Sequence, residues 1–507
     1  MKTRILCVIA FLILLNTGCH AGGRSGMVRE PAVAGQFYPA DSTELRLAVT
    51  RYLANALPKR VDKTLAIVVP HAGYVYCGQI IADAFSQVKD QPFDLVVILG
   101  TNHTTAGFRD ISVYTKGSFK TPLGEVAIDE DAAKRLLDAD KDCLFDPQVH
   151  EKEHSAEVEI PFVQQLFPKA KILPLVIGDP DLDKCTRLGK ALASTLKDRK
   201  VLLVASSDLS HYPKYEDSRR VDKETLKAVA TLDAHAVEST IMTQMSANVP
   251  ELVTCACGEG PILAAIAAAK ELGAINGTVI SYANSGDAAV GEYGRVVGYG
   301  AVALSEIGSG ADTTVLQAND TTDSTAILSH DDERALLRLA RESIEWYLTS
   351  KTAPLPRGLG AGAQVREGAF VTLNENGELR GCIGHMAEDM PLSHNVGAMA
   401  LAAAFEDTRF QPVKKEELSK IKVEISALTP MRQITDASQI RVGTDGVVIR
   451  KDNRSAVYLP QVATEQHWTR DEMLDHLCQK AGLPSNAWKK DAQFFTFQAI
   501  VFSEDGH

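Results

Sequence analysis

Four short apolar runs, at residues 65–69, 95–99, 172–177 and 201–205, set the architecture of the first half of this chain. Each is rich in β-branched or large aliphatic residues, is bounded by turn formers, and is too short for a helix, so each reads as a buried strand. Helical stretches at 78–88 and 217–232, and an Ala-rich one at 261–272 stopped by Gly273, alternate with them. Two later strands follow at 278–283 and 295–304. Strands that alternate with helices imply an α/β sheet covered on both faces. A chain of 507 residues exceeds what one core organises, so a second domain is expected.

Composition shifts from about Gly308 to Thr325, where Gly, Ser, Thr, Asp and Asn follow one another without periodicity. This reads as a linker, placed at 307–327. Ser329 then caps an amphipathic helix whose first turn holds Asp331, Asp332 and Glu333, favourable against the helix dipole. Leu336, Leu339, Ala340 and Tyr347 share one face of that helix. A mixed domain follows over 328–507, with strands at 370–373, 423–428 and 447–450 and a helix at 470–481. The first domain is placed at 27–306.

The first nineteen residues have the shape of an export leader. Lys2 and Arg4 precede an apolar run at 5–15, and Asn16, Thr17, Gly18 and Cys19 follow. The run is too short to span a bilayer comfortably. Cys19 after Thr-Gly suggests a lipid-anchored or periplasmic protein of the cell envelope, its only membrane contact a lipid anchor. The alternative is a cytoplasmic protein starting near Met27. A net charge of -12 argues against a nucleic-acid partner. The nine cysteines are scattered and form no disulfide framework.

The chemistry gathers where the strands end. The first run leads into His71, the second into His103, and the fourth into SSDLSH, which carries Asp208 and His211. Ligands of open α/β sheets sit beyond the carboxyl ends of the strands. Histidine there serves as a metal ligand, as an acid or base, or simply as a hydrogen-bonded turn residue. Asp208 lies three residues before His211, so a turn would let it orient that imidazole. His154, in EKEHSAEVEIP, reads equally as a functional group or as part of a solvated acidic helix start. Cys257, in CGEGP before the Ala-rich helix, sits where a helix N-terminus favours thiolate, which ligates metal or acts as a nucleophile.

REPAVAGQFYPAD, PHAGYVYCG, GTNH, TPLG, EHSAEVEIPF, SSDLSHY and CGEGPI, in this order, resemble the Memo family. That family resembles class III extradiol dioxygenases, non-haem iron enzymes that open catechol rings. The resemblance implies a dioxygenase-like α/β fold and a divalent transition metal, iron or copper before zinc, on His71, His103 and Cys257. It places His211 at the position of the dioxygenase base, with Asp208 beside it and His154 as a further catalytic candidate. A cysteine stands where the dioxygenases use a carboxylate; Glu259, two residues on, could in principle supply the missing oxygen ligand. The expected function is a metal-binding redox enzyme acting on a small molecule, with a catalytically silent metal- or peptide-binding module or scaffold as the alternative.

GELRGCIGHM, AAFEDTRFQPV, VEISALTP and YLPQVATEQHW resemble the AMMECR family, which implies a compact α+β domain. Arg380 and Cys382 read as a cation and a thiol on a glycine-flanked turn, able to bind an anion or position a nucleophile, or as a purely structural turn. His385 lies close by. Proteins resembling these two families are associated with a radical S-adenosylmethionine enzyme in the AmmeMemoRadiSam system. Such an enzyme is therefore the expected partner, and the chain itself has no CxxxCxxC cluster motif.

Overall fold

The computed structural model describes residues 27–308, 310–316 and 326–505. The leader at 1–19 and residues 309 and 317–325 of the expected linker lie outside the described residues. No helix among the described residues is long and apolar enough to cross a membrane.

An eight-stranded mixed sheet forms the spine of the first domain. Its order is Asn276–Asn284, Gly298–Ser305, Thr64–Val69, Val201–Ser206, Leu95–Thr101, Lys171–Ile177, Ile111–Val113 and Cys143–Leu144. The four middle strands are the four runs read from the sequence, and they pair in parallel. Side chains alternate across each strand. Ala66, Val68, Leu173 and Leu203 enter one apolar layer, covered by helices Leu182–Leu196, Tyr215–Ala230 and Glu259–Glu271. Ile67, Val69, Ile98 and Val204 enter the other, covered by Ser42–Ala54 and Tyr74–Ser86. A sheet covered on both faces needs near-continuous apolar strands, which is why these runs show no polar alternation.

Some boundaries move. The helix expected at 78–88 begins at Tyr74, because Gly73 caps it without a side-chain acceptor and so leaves no sequence signal. The strand expected from 295 begins at Gly298, since Val296 and Val297 pair with the segment around His211 instead. The described cysteines are all free.

The second domain holds two antiparallel four-stranded sheets. One runs Glu378–His385, Ala369–Glu375, Ile421–Leu428, Ala499–Ser503, and the other Arg432–Ile434, Gln493–Phe497, Gly446–Lys451, Arg454–Tyr458. Helices His330–Ser350 and Leu392–Phe405 cover the first sheet, and Arg470–Lys480 packs on the second. Ser329 and Asp332 close a capping box at the start of the long helix. That helix also faces the first domain. Trp346 is buried there edge-on to Tyr52, with ring centroids 5.5 Å apart, and Glu345 pairs with Arg51 at 2.8 Å.

The acidic stretch around His154 is not a solvated helix start. Glu153, Glu157 and Glu159 are all buried. Glu157 pairs with Arg29, accepts a hydrogen bond from the Tyr38 hydroxyl, and accepts the amides of Ala32 at 2.8 Å and Val33 at 3.1 Å. A buried carboxylate needs this many donors. The polar residues that suggested solvent in the sequence are therefore internal fasteners.

His150 lies in the same segment, buried, with Nε2 2.9 Å from Ser112 Oγ. Burial, then the nearby Arg29 charge, lower its pKa to about 3. An unfolded chain protonates this imidazole near pH 6.5. Its contribution to stability is thus complete above pH 6.5 and is lost as pH falls toward 3, by roughly 1.4 kcal/mol per unit. Urea midpoints measured from pH 7.5 to 4 should fall less steeply for His150→Gln than for the native chain. Parallel profiles would contradict the buried neutral imidazole.

Candidate metal centre

Three parallel strands end level, Val69 lying opposite Ser206. His71 and Asp208 each follow their strand by two residues, as does His103 after Thr101. Cys257 arrives from the helix Glu259–Glu271, whose cap is Gly258. A Cβ on Gly258 would stand 2.3 Å from the Ser206 carbonyl oxygen, so glycine alone lets this helix start abut the strand end. The Gly258 amide donates to Ser207 Oγ at 2.9 Å, and the Cys257 amide donates to the Asp208 carbonyl at 3.2 Å.

The result is a compact donor cluster. His71 Nε2 lies 3.2 Å from Cys257 Sγ, and His71, His103 and Cys257 each offer a ligand atom within 4.8 Å of the others. His103, Glu153 and His154 form a second such group, and Asp208, His211 and Cys257 a third. His103 and His154 stack at 4.6 Å, and both lie edge-on to His71.

The far side of each imidazole is fastened. His71 Nδ1 sits 2.8 Å from Ser206 Oγ, whose hydroxyl donates to Glu159 Oε1 at 3.2 Å. Ser206 then accepts from Nδ1–H, which leaves Nε2 as a lone-pair donor toward Cys257. His103 Nδ1 sits 2.9 Å from Glu153 Oε1, and its amide donates to Oε2 at 2.6 Å. Glu153 also accepts the amides of His154 and Ser155, both at 2.9 Å. Sequence reasoning missed Glu153, Glu159 and Ser206. The available signal was three glutamates in a stretch too apolar for a solvated face.

Burial dominates the electrostatics. It holds His71 well below the ordinary imidazole range, helped by the neighbouring histidines, and holds His154 and His211 at about 4. Burial opposes ionisation of Glu153, yet the His103 hydrogen bond prevails and sets it at about 2. Asp208 is pushed up to about 7 by burial, against the opposing amide of His71. Burial and then Asp208 push the Cys257 thiol well up. The helix start therefore does not by itself make Cys257 a thiolate, contrary to the sequence expectation, because desolvation outweighs a dipole effect of this kind.

Other expectations also change. Asp208 does not orient the His211 ring; its Oδ1 accepts the His71 amide at 2.8 Å, because the chain turns back over the first strand after Ser206. His211 Nε2 is buried without a hydrogen-bond partner. Glu259 belongs to none of the donor groups among the described residues. Asp222 braces the SSDLSH loop, accepting the Ser210 amide, the Ser218 hydroxyl and the Tyr282 hydroxyl, each at 2.8 Å.

In the second domain, Arg380 and Cys382 lie within the edge strand Glu378–His385, not on a turn. Arg380 pairs with Glu417 at 2.8 Å, and the Cys382 amide donates to Asp407 Oδ2 at 2.9 Å. A Cβ on Gly381 would stand 2.2 Å from the Ala403 carbonyl oxygen. Gly381 thus admits the helix Leu392–Phe405 close to the strand. His385 pairs with Asp389 at 2.8 Å.

Gly258→Ala should cost about 1–3 kcal/mol by forcing the helix start away from the strand. Gly294→Ala, whose added Cβ meets nothing within 4 Å, serves as the control. Urea denaturation of both variants checks this, and equal midpoints would contradict the close approach.

Residues 29–303 match the family model described as Memo-like protein, and residues 337–502 match the AMMECR1 model. A MEMO1 family protein of Nitrosopumilus maritimus is 34% identical over 282 residues, covering 54% of this chain and 99% of that one. Another, from Aquifex aeolicus, is 37% identical over 273 residues, 54% of this chain and 97% of its own. The solved structure of the uncharacterized protein PH0010 from Pyrococcus horikoshii is 36% identical, covering 35% of this chain and 94% of its own, with a TM-score of 0.34. The chain therefore belongs to the Memo-like protein family and carries an AMMECR1 domain in the same polypeptide.

Proposed function

We propose that the first domain is a transition-metal redox site for a small organic molecule, with the metal on His71, His103 and Cys257. One observation carries this reading: both imidazoles have their far nitrogen fastened, by Ser206 and Glu153, so that their near nitrogens converge on Cys257. Metal-binding histidines are held by such outer hydrogen bonds in general. Tetrahedral coordination at about 2.0–2.3 Å separates donor atoms by roughly 3.5 Å, which fits the cluster. The mixed nitrogen and sulfur set favours iron, copper or zinc over hard cations.

When bound, such a cation supplies Lewis acidity and, for iron or copper, electron transfer. Its charge would also favour the thiolate of Cys257 over the thiol. His211, with Nε2 unengaged, is the group placed to take a proton from a bound molecule. Asp208, its pKa pushed up to about 7, lies beside it to exchange protons, and His154, stacked on His103, is a further proton-handling group. Phe37, 4.9 Å from His154 between ring centroids, supplies an apolar wall. The expected radical S-adenosylmethionine partner and an envelope location complete this proposal. A silent metal-binding module is the second reading, favoured by a thiol standing where a ring-opening dioxygenase uses a carboxylate.

The chain, purified without oxygen, should carry close to one iron, copper or zinc by mass spectrometry. His71→Ala, His103→Ala and Cys257→Ala should each lose it, and Ser206→Ala and Glu153→Gln should weaken binding by about 10–100-fold. His211→Ala should keep the metal and lose oxygen uptake with catechols. Absence of stoichiometric metal from the native chain would overturn the proposal. Bound metal without any oxygen uptake would leave the silent module.

A further inference from the structure

A glutamate buried away from water must find donors or a cation, or else keep its proton. Glu153 and Glu157 find donors. Glu153 takes the His103 ring and three amides, and Glu157 takes Arg29, the Tyr38 hydroxyl and two amides. Glu159 does not. It is 0% exposed. Its Oε1 accepts one hydrogen bond, from Ser206 Oγ at 3.2 Å, and its Oε2 is buried without a partner.

The groups around it do not make up the difference. Tyr74, on the helix Tyr74–Ser86, donates its hydroxyl to the Val158 carbonyl at 2.8 Å. Cys77, on the same helix, donates to the Ala72 carbonyl at 3.2 Å. Asp208, just past the strand Val201–Ser206, is itself an acid, and its charge opposes another nearby. Among the described residues no cation acts on Glu159. Burial therefore pushes its pKa well above the ordinary carboxylate range, with the single Ser206 hydrogen bond opposing.

Glu159 is nevertheless joined to the metal cluster. Ser206 Oγ lies 2.8 Å from His71 Nδ1, so hydrogen bonds run from Glu159 through Ser206 to His71, whose Nε2 faces Cys257. Outer carboxylates of this kind raise the basicity of a metal-binding imidazole. A cation at the inner end of the chain also changes the balance at the outer end, because nearby positive charge favours the carboxylate.

We propose that Glu159 is a positioning residue of this centre, a neutral acid in the metal-free chain that becomes a carboxylate when His71 takes up a divalent cation. The carboxyl O–H bond breaks, its electron pair stays on Glu159, and the proton passes to the buffer. The carboxylate then strengthens the Ser206 hydrogen bond and, through it, the hold on His71 Nδ1–H. Part of the charge brought into a buried site is thus offset by the protein itself. The inference rests on His71 being a metal ligand.

Infrared difference spectroscopy of the full chain, with and without zinc as a redox-inert probe, reads the carboxyl directly. The metal-free chain should show the carbonyl stretch of a protonated carboxyl that Glu159→Gln lacks, and zinc should remove it from the native spectrum. Glutamine keeps an oxygen for Ser206 and cannot ionise, so a role confined to structure would survive this change. Calorimetric zinc titrations in buffers of different ionisation enthalpy should release about one proton more per chain from the native protein than from Glu159→Gln. Zinc affinity should accordingly rise about tenfold more per pH unit in the native chain. Asp208 is a second acid pushed up to about 7, so Asp208→Asn separates the two. It should keep the Glu159 band and lose it with zinc, which also serves if Glu159→Gln fails to fold. Equal proton release from the native chain and Glu159→Gln, or an Asp208→Asn carboxyl band that zinc leaves unchanged, would overturn the inference and leave the metal reading standing. No zinc binding to the native chain would overturn the metal reading, and the inference with it.

Discussion

Hydrogen bonds to the outer nitrogens of His71 and His103 decide what the first domain can do. An imidazole free to rotate or change tautomer is a poor ligand and a poor base. Ser206 fixes one ring and Glu153 the other. Each fastener is itself fixed by the fold. Ser206 is the last residue of a central parallel strand, and Glu153 is held by amides of its own turn. That turn is tied down by Arg29, which bonds the Glu153 carbonyl and pairs with Glu157. The buried acidic stretch and the edge of the sheet thus act as one support.

Much of this fold could be read in the sequence, and the reason is physical. Parallel strands buried on both faces must be short and apolar, so the four central strands stood out by composition alone. Histidines placed just past three strand ends then converged by topology, since parallel strands deliver their following loops to one edge. The helix start at Tyr74 was hidden because Gly73 gives no capping signal. Glu153, Glu157 and Glu159 were misread because glutamate is normally exposed, and only tertiary contacts reveal a carboxylate surrounded by donors. The Asp208–His211 pairing failed for a similar reason: a spacing of three residues permits contact without setting the direction of the turn.

The two domains are joined by more than the chain between them. Trp346, on the first helix of the second domain, is buried against the first. Arg357 and Arg366 reach back to Asp83 and Glu216. They help to enclose a cavity that borders Tyr282, whose hydroxyl bonds Asp222, and Asp222 braces the loop that carries Asp208 and His211. The second domain thus borders the same brace that holds the loop of Asp208 and His211.

An imidazole nitrogen from each of His71 and His103 and the Cys257 sulfur meet at the strand ends. X-ray absorption at the edge of the bound metal reads those atoms directly in the intact chain. The expected spectrum has one sulfur near about 2.3 Å and two imidazole nitrogens near about 2.0–2.1 Å, with the sulfur shell absent from any metal retained by Cys257→Ser. A native spectrum with only oxygen and nitrogen neighbours would contradict the assignment of His71, His103 and Cys257.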